Sequence, residues 1–150
     1  MSLSTDAPIQ RNAATVAAIY TAFGAGDIPT FLSMIDDDVR WETDWEDNYA
    51  QRAGGPPHFR PLNGKANLDP FFEAIGACTF HALDLRQVIA DGDTAVARVA
   101  LEFTMPGGGR YRDEQLHLWM FGDNGKVIAL RHFLDTAKLL AATRGEDTTA

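Results

Sequence analysis

The chain has 150 residues, 45% of them hydrophobic and 23% charged, with a formal net charge of -8. One domain over residues 1–150 is the expectation at this length, and an acidic chain with no Lys/Arg run excludes nucleic acid and membrane surfaces as partners. Cys78 is the one cysteine, no apolar run approaches the ~18–20 residues of a membrane span, and "MSLSTDAPIQ" has no basic-then-apolar signal pattern, so a cytoplasmic protein without disulfides is expected.

Helical spacing of Val16, Ile19, Tyr20 and Phe23 predicts a first helix in "APIQRNAATVAAIYTAFGAGD", with Pro8 in its first turn and Gly24 and Gly26 ending it. "DIPTFLSMI" is a short second helix, N-capped by Asp27. "DDVRWETDW" alternates as a strand. The Gly- and Pro-rich residues 46–64 form a long loop, of the kind that shapes a binding-site entrance. "NLDPFFEAIGACT" is a third helix, with Phe71, Phe72 and Ile75 on one side. Four strand-like runs follow, separated by Asp91-Gly92, Gly107–Gly109 and Asn124-Gly125 turns. "TAKLLAA" adds a helical turn capped by Asp135, and residues 1–7 and 144–150 are expected to fray. Helices first and a meander afterwards indicate an α+β fold, a curved antiparallel sheet wrapped around three N-terminal helices and enclosing a pocket.

The last strand poses the functional question. In "VIALRHFLD", Ile128, Leu130, His132 and Leu134 alternate, so a titratable base interrupts an aliphatic face. His132 is a hydrogen-bonded core histidine, an acid/base group, or a ligand contact. On "TAVARVALEFTM", Val99, Leu101 and Phe103 share one face, and Arg98, Ala100 and Glu102 the other. On "RYRDEQLHLWMF", Glu114, Leu116 and Leu118 alternate with Asp113, Gln115, His117 and Trp119. The four histidines have no metal-ligand spacing, no Gly-x-Ser-x-Gly elbow occurs, and the Gly runs lack a phosphate-loop Lys. No metal site, phosphate loop or serine nucleophile is expected from these spacings.

"IYTAFGAGDIPTFLSMIDDDVRWE", "LNGKANLDPFF" and "FGDNGKVIALRHFLD" together resemble the nuclear transport factor 2-like superfamily, and within it the SnoaL-like and ketosteroid-isomerase-related proteins. The resemblance spans about residues 8 to 140. It implies a cone-shaped domain, a pocket between sheet and helices, no cofactor, and a homodimer paired through the outer sheet face. The steroid-isomerase tyrosine and carboxylate fall at Ile19 and Thr43, so that chemistry does not transfer. An epoxide-hydrolase aspartate falls at His132, the arginine at Arg98 and a second aspartate at Ala100. The resemblance places Arg98, Glu102, Glu114, Leu116, Leu118, Leu130, His132 and Leu134 on the concave face, and His117 and Trp119 on the dimer side.

The expected site therefore has His132 as acid/base, Arg98 or Glu102 as its orienting or charge-stabilising partner, and a small apolar molecule held by Tyr20, Phe23, Trp41, Phe72, Glu114, Leu116, Leu118, Leu130 and Leu134. The expected function is cofactor-free isomerase, cyclase, hydrolase or dehydratase chemistry. The alternative is a binding or scaffold domain without turnover.

Overall fold

The computed structural model describes residues 3–43 and 47–150. Met1 and Ser2 of the expected tail, and Asp44, Trp45 and Glu46 at the strand-to-loop junction, lie outside the described residues. The elements are α1 (Leu3–Gly24), α2 (Ile28–Ser33), β1 (Ile35–Trp41), α3 (Tyr49–Arg52), β2 (Leu62–Asn63), α4 (Asp69–Gly76), β3 (Thr79–Asp91), β4 (Thr94–Thr104), β5 (Arg110–Phe121), β6 (Val127–Phe133) and α5 (Thr136–Thr143). Short 3-10 turns at Pro57–Phe59 and Lys65–Asn67 break up the long loop.

Local chemistry accounts for the boundaries. Asp27 Oδ1 accepts the Thr30 N–H at 3.2 Å and starts α2. The Asp135 side chain accepts the Lys138 N–H at 3.1 Å and starts α5. Helix α1 starts earlier than expected, so Pro8 lies inside it rather than in its first turn. Gly109 has no room for a side chain, because a Cβ there would meet the Ala142 carbonyl oxygen at 1.8 Å. That close approach seats α5 against β5.

The six strands form one sheet in the order β2-β1-β6-β5-β4-β3. It is antiparallel except for the β1–β6 pair, which is parallel. The α+β class, the curved open sheet and its N-terminal helices agree with the sequence reading; the single parallel pair departs from it. The C-terminal residues are not frayed. Asp147 bridges to Arg110, Thr148 N–H donates to the Arg110 carbonyl at 2.9 Å, and Arg112 Nη2 donates to the Thr149 carbonyl at 2.9 Å.

Helix α1 lies over β3 and β4. Its Val16, Ile19 and Ala22 face the concave side of the sheet, where Val99, Leu101 and Phe103 of β4 are also buried. Burying each large side chain there contributes about 1.5–3 kcal/mol. The even-numbered residues of β4, Arg98, Ala100 and Glu102, point away from this core. Register carries the same parity to β5, because Val99 pairs with Gln115 and Ala97 with His117. Gln115, His117 and Trp119 therefore face inward, and Glu114, Leu116 and Leu118 face outward. Among the described residues, no helix is long and apolar enough to cross a membrane.

Candidate active site

A cavity opens between α1, α4 and the concave sheet face. Its empty volume, mouth included, is about 570 Å³. Aromatic rings dominate the wall, from Tyr20 and Phe23 on α1, Trp41 on β1, Phe59, Phe71 on α4, and Phe80, Phe103 and Trp119 on the sheet. Its polar side chains are Tyr20, His58, Gln115, His117 and His132, with the two indole N–H groups of Trp41 and Trp119. None of the described residues lining it is Arg or Lys.

His132 is held by a partner that alternation alone would not place beside it. Glu42 follows the last residue of β1, so a regular strand would turn it away from Trp41. Its φ is +60°, in the left-handed region that costs a non-glycine residue about 1–3 kcal/mol. That turn breaks the alternation, and Trp41 and Glu42 are both buried. Glu42 Oε1 accepts the backbone N–H of His132 at 2.9 Å and makes a short hydrogen bond with His132 Nδ1. The Glu42 N–H in turn donates to the Leu130 carbonyl at 2.9 Å. One carboxylate thus fixes both the backbone and the ring of the histidine. His132 Nε2 makes no hydrogen bond to a described residue, and the His132 side chain is 10% exposed.

A second set of polar groups crosses the same wall as a chain. Trp119 Nε1–H donates to the Tyr20 oxygen at 3.2 Å, and the Tyr20 hydroxyl makes a short hydrogen bond with His117 Nδ1. His117 Nε2 is 2.7 Å from Gln115 Oε1, Gln115 Nε2 donates to the Tyr111 oxygen at 3.0 Å, and the Tyr111 hydroxyl donates to Asp113 Oδ2 at 2.7 Å. The carboxylate also accepts the backbone N–H groups of Glu114 and Asp135. An indole can only donate and an ionised carboxylate can only accept. With both ends fixed, every proton between them has one place. His117 is the neutral tautomer with its proton on Nε2.

The electrostatics agree. Burial, then repulsion from the neighbouring His132 ring whenever both would be protonated, hold His117 well below the ordinary histidine range. Burial, with a smaller contribution from the proximity of His132, pushes His58 down to about 3. Burial raises Tyr20, against the lowering effect of the Trp119 hydrogen bond. The His117 and His132 rings meet edge to face, with centroids 4.4 Å apart. Trp41 is fully buried, yet its Nε1–H has no hydrogen-bond partner among the described residues. Such an orphan donor costs about 1–3 kcal/mol. Among the described residues no group of three or more His, Cys, Asp or Glu could hold a metal ion.

The structure gathers some of the expected site residues and separates others. Tyr20, Phe23, Trp41, Leu130 and His132 line the cavity. Phe72 packs against Phe31, with ring centroids 5.3 Å apart, and faces an adjoining groove instead. Leu134 lies beyond β6, in a small recess with Asn48 on another side of His132. Arg98, Glu102, Glu114, Leu116 and Leu118 are on the outer face, contrary to expectation. There Arg98 pairs with Glu114 at 2.7 Å, and Arg110 with Glu102. The physical reason is the apolar set of β4: Val99, Leu101 and Phe103 claim the core, and register then sets β5. His117 and Trp119, expected on the dimer side, are inside for the same reason. Sequence reasoning missed Glu42, His58 and the Gln115–Tyr111–Asp113 arm; parity carried over from Val99 would have found Gln115 and His117.

The family model for the SnoaL-like domain matches residues 16–130. Among solved structures, an NTF2-like protein from Burkholderia xenovorans LB400 superimposes with a TM-score of 0.73 at 19% identity, over 90% of this chain and 97% of that one. A candidate polyketide cyclase from Pseudomonas putida KT2440 gives 0.65 at 21% identity, over 87% of this chain and 96% of that one. An LEH-like epoxide hydrolase from M. tuberculosis gives 0.65 at 16% identity, over 91% and 92%. No curated protein matches. These superpositions establish a shared fold.

Proposed function

Because the chain belongs to the SnoaL-like domain family, whose model covers most of its length, we propose that it is a cofactor-free enzyme performing acid/base chemistry on a small, largely apolar molecule. The observation that supports this reading is the Glu42–His132 pair inside an aromatic cavity. With Nδ1 engaged by the carboxylate, His132 presents Nε2 as the nitrogen that takes a proton from a bound molecule. The imidazolium formed is stabilised by Glu42, and the same Nε2 returns the proton to another atom of the substrate. Isomerisation, cyclisation, hydrolysis and dehydration each need such a transfer. Low dielectric around the site strengthens the Glu42–imidazolium attraction. Neutral His117 leaves that charge unopposed at the adjoining ring.

A second reading, ligand binding without turnover, draws support from the missing cation. Arg98, expected to stabilise developing charge, is on the outer face, and no described lining residue replaces it. A substrate screen with the His132→Gln and Glu42→Gln variants separates the two. For an enzyme, H132Q lowers turnover about 10²- to 10⁴-fold, the usual contribution of general acid/base catalysis, with its melting temperature and ligand affinity retained. A ligand that copurifies unchanged, and whose affinity alone responds to H132Q, establishes the binding reading.

A further inference from the structure

We propose that His58 is a second catalytic residue, whose ring N–H holds the substrate atom on which negative charge builds while His132 moves the proton. This rests on the reading of His132 as the acid/base and adds the group that receives the charge.

The segment between β1 and α4 fixes where His58 stands. Pro56 is extended and Pro57 opens the 3-10 turn, so two proline rings constrain the approach. The Phe59 and Arg60 N–H groups donate to the Pro56 and Pro57 carbonyls at 3.2 and 3.1 Å, and Gln51 Nε2 donates to the Phe59 carbonyl. The turn packs on α4 and brings His58 and Phe59, both buried, into the cavity wall. The Phe59 ring touches both histidines, with its centroid 4.5 Å from that of His58 and 5.2 Å from that of His132.

Most polar groups of this wall are already committed. Trp119, Tyr20, His117 and Gln115 hydrogen-bond to one another, and Glu42 holds His132 Nδ1. The Trp41 N–H is sealed inside the protein. His132 Nε2 and the His58 ring are left. His58 makes no hydrogen bond to a described residue, yet its nitrogens are not among the buried, partnerless polar atoms without accessible surface, which belong to Asn12, Trp41, Asn48, Arg110 and Arg131. The His58 nitrogens therefore keep accessible surface, and the cavity is the space that this residue lines.

Their surroundings give the two rings different work. His132 has a carboxylate behind it that stabilises its imidazolium. His58 has none, and burial with the proximity of His132 keeps its ring neutral at neutral pH. A neutral imidazole has one N–H donor and one bare nitrogen. His58 is thus a poor base, but it can donate a hydrogen bond from a fixed position. When His132 takes a proton from the substrate, the bonding pair stays on the substrate and moves toward an electronegative atom. The His58 N–H bonds to that atom, keeps its own proton, and lets the atom go when His132 returns the proton. No Arg or Lys among the described lining residues competes for this task.

The test uses 5-nitrobenzisoxazole with the full chain at neutral pH. A base removes its ring C–H proton, the N–O bond breaks, and the electron pair ends on a phenolate oxygen, so one coloured product reports both tasks. The wild-type chain should convert it faster than buffer does. His58→Phe should lower kcat about 10²-fold with KM within about 2-fold, as for a contact made only in the transition state. His58→Asn, which restores an N–H, should recover about 10-fold of that loss. Should H58F fail to fold, the wild-type protein still decides: the His58 ring ¹H–¹⁵N signal should move when the product phenolate binds. An unchanged kcat in H58F, a loss confined to KM, no recovery in H58N, an unmoved His58 signal, or no conversion by the wild type overturns the proposal. If His132→Gln abolishes conversion while H58F does not impair it, the acid/base reading stands and only the role of His58 falls. Wild-type conversion by H132Q overturns the acid/base reading itself, and the proposal with it.

Discussion

Glu42 is where backbone, charge and histidine meet. It occupies a left-handed conformation, and its carboxylate receives both the N–H and the ring of His132. Glu42→Ala is therefore expected to destabilise the fold by about 1–3 kcal/mol in denaturant titration, because the His132 donors lose their buried partner. In ¹⁵N spectra of the same variant, the His132 ring should lose its single tautomer; an unchanged tautomer would mean the carboxylate does not set it. His132 itself was legible in the sequence, since a base breaking an aliphatic alternation stands out. Glu42 was not. A strand residue one place past Trp41 counts as outward by alternation, and only its φ of +60° brings it in. A backbone excursion at a single non-glycine residue leaves no periodic signal.

Among the elements, β5 is the strand whose pattern inverts. Its aliphatic Leu116 and Leu118 face outward while Gln115 and His117 are buried. Simple patterning fails there because the buried polar groups satisfy one another and so offset the cost of their desolvation. Parity was still recoverable from β4, where the apolar set is unambiguous, through the antiparallel register. Two neighbouring substitutions test this assignment. Gln115→Leu should cost about 1–3 kcal/mol, since His117 and Tyr111 lose their shared partner in a buried place. Leu116→Gln, one residue on, should cost less than Gln115→Leu, because it leaves no buried donor or acceptor unpaired. A reversed order in thermal or chemical denaturation would place the strand the other way round. The Asp27 and Asp135 caps and the hairpin turns needed no such correction, because Gly and Asp act locally.

For the whole molecule, two buried histidines link stability to pH. His58 is depressed to about 3 and His117 is lowered as well, whereas an unfolded histidine titrates near about 6.5. Between those values the unfolded chain binds protons that the native state refuses. The His58 contribution is complete above about pH 6.5 and is lost as pH falls toward 3, and His117 acts in the same direction, with a slope of up to about 1.4 kcal/mol per pH unit for each histidine. Unfolding free energy measured from pH 7.5 to 4.5 should fall along that slope, and His58→Phe should flatten it by one histidine's share. The outer sheet face makes a separate prediction. Leu116 is 44% exposed there beside half-buried Leu118, which supports pairing of two copies through this surface. Sedimentation equilibrium should give a dimer, and Leu116→Lys should shift it toward monomer; a wild-type monomer at tens of micromolar would rule the pairing out.

The chain from Trp119 through Tyr20, His117, Gln115 and Tyr111 to Asp113 runs donor to acceptor in one sense only. Its bond dipoles therefore add head to tail rather than cancel, and each polarises the next. The cavity wall has a permanent electrical direction even where no formal charge lines it. A neutral guest with an uneven charge distribution would meet two unequal ends and settle in one orientation, before any of its atoms reached His132.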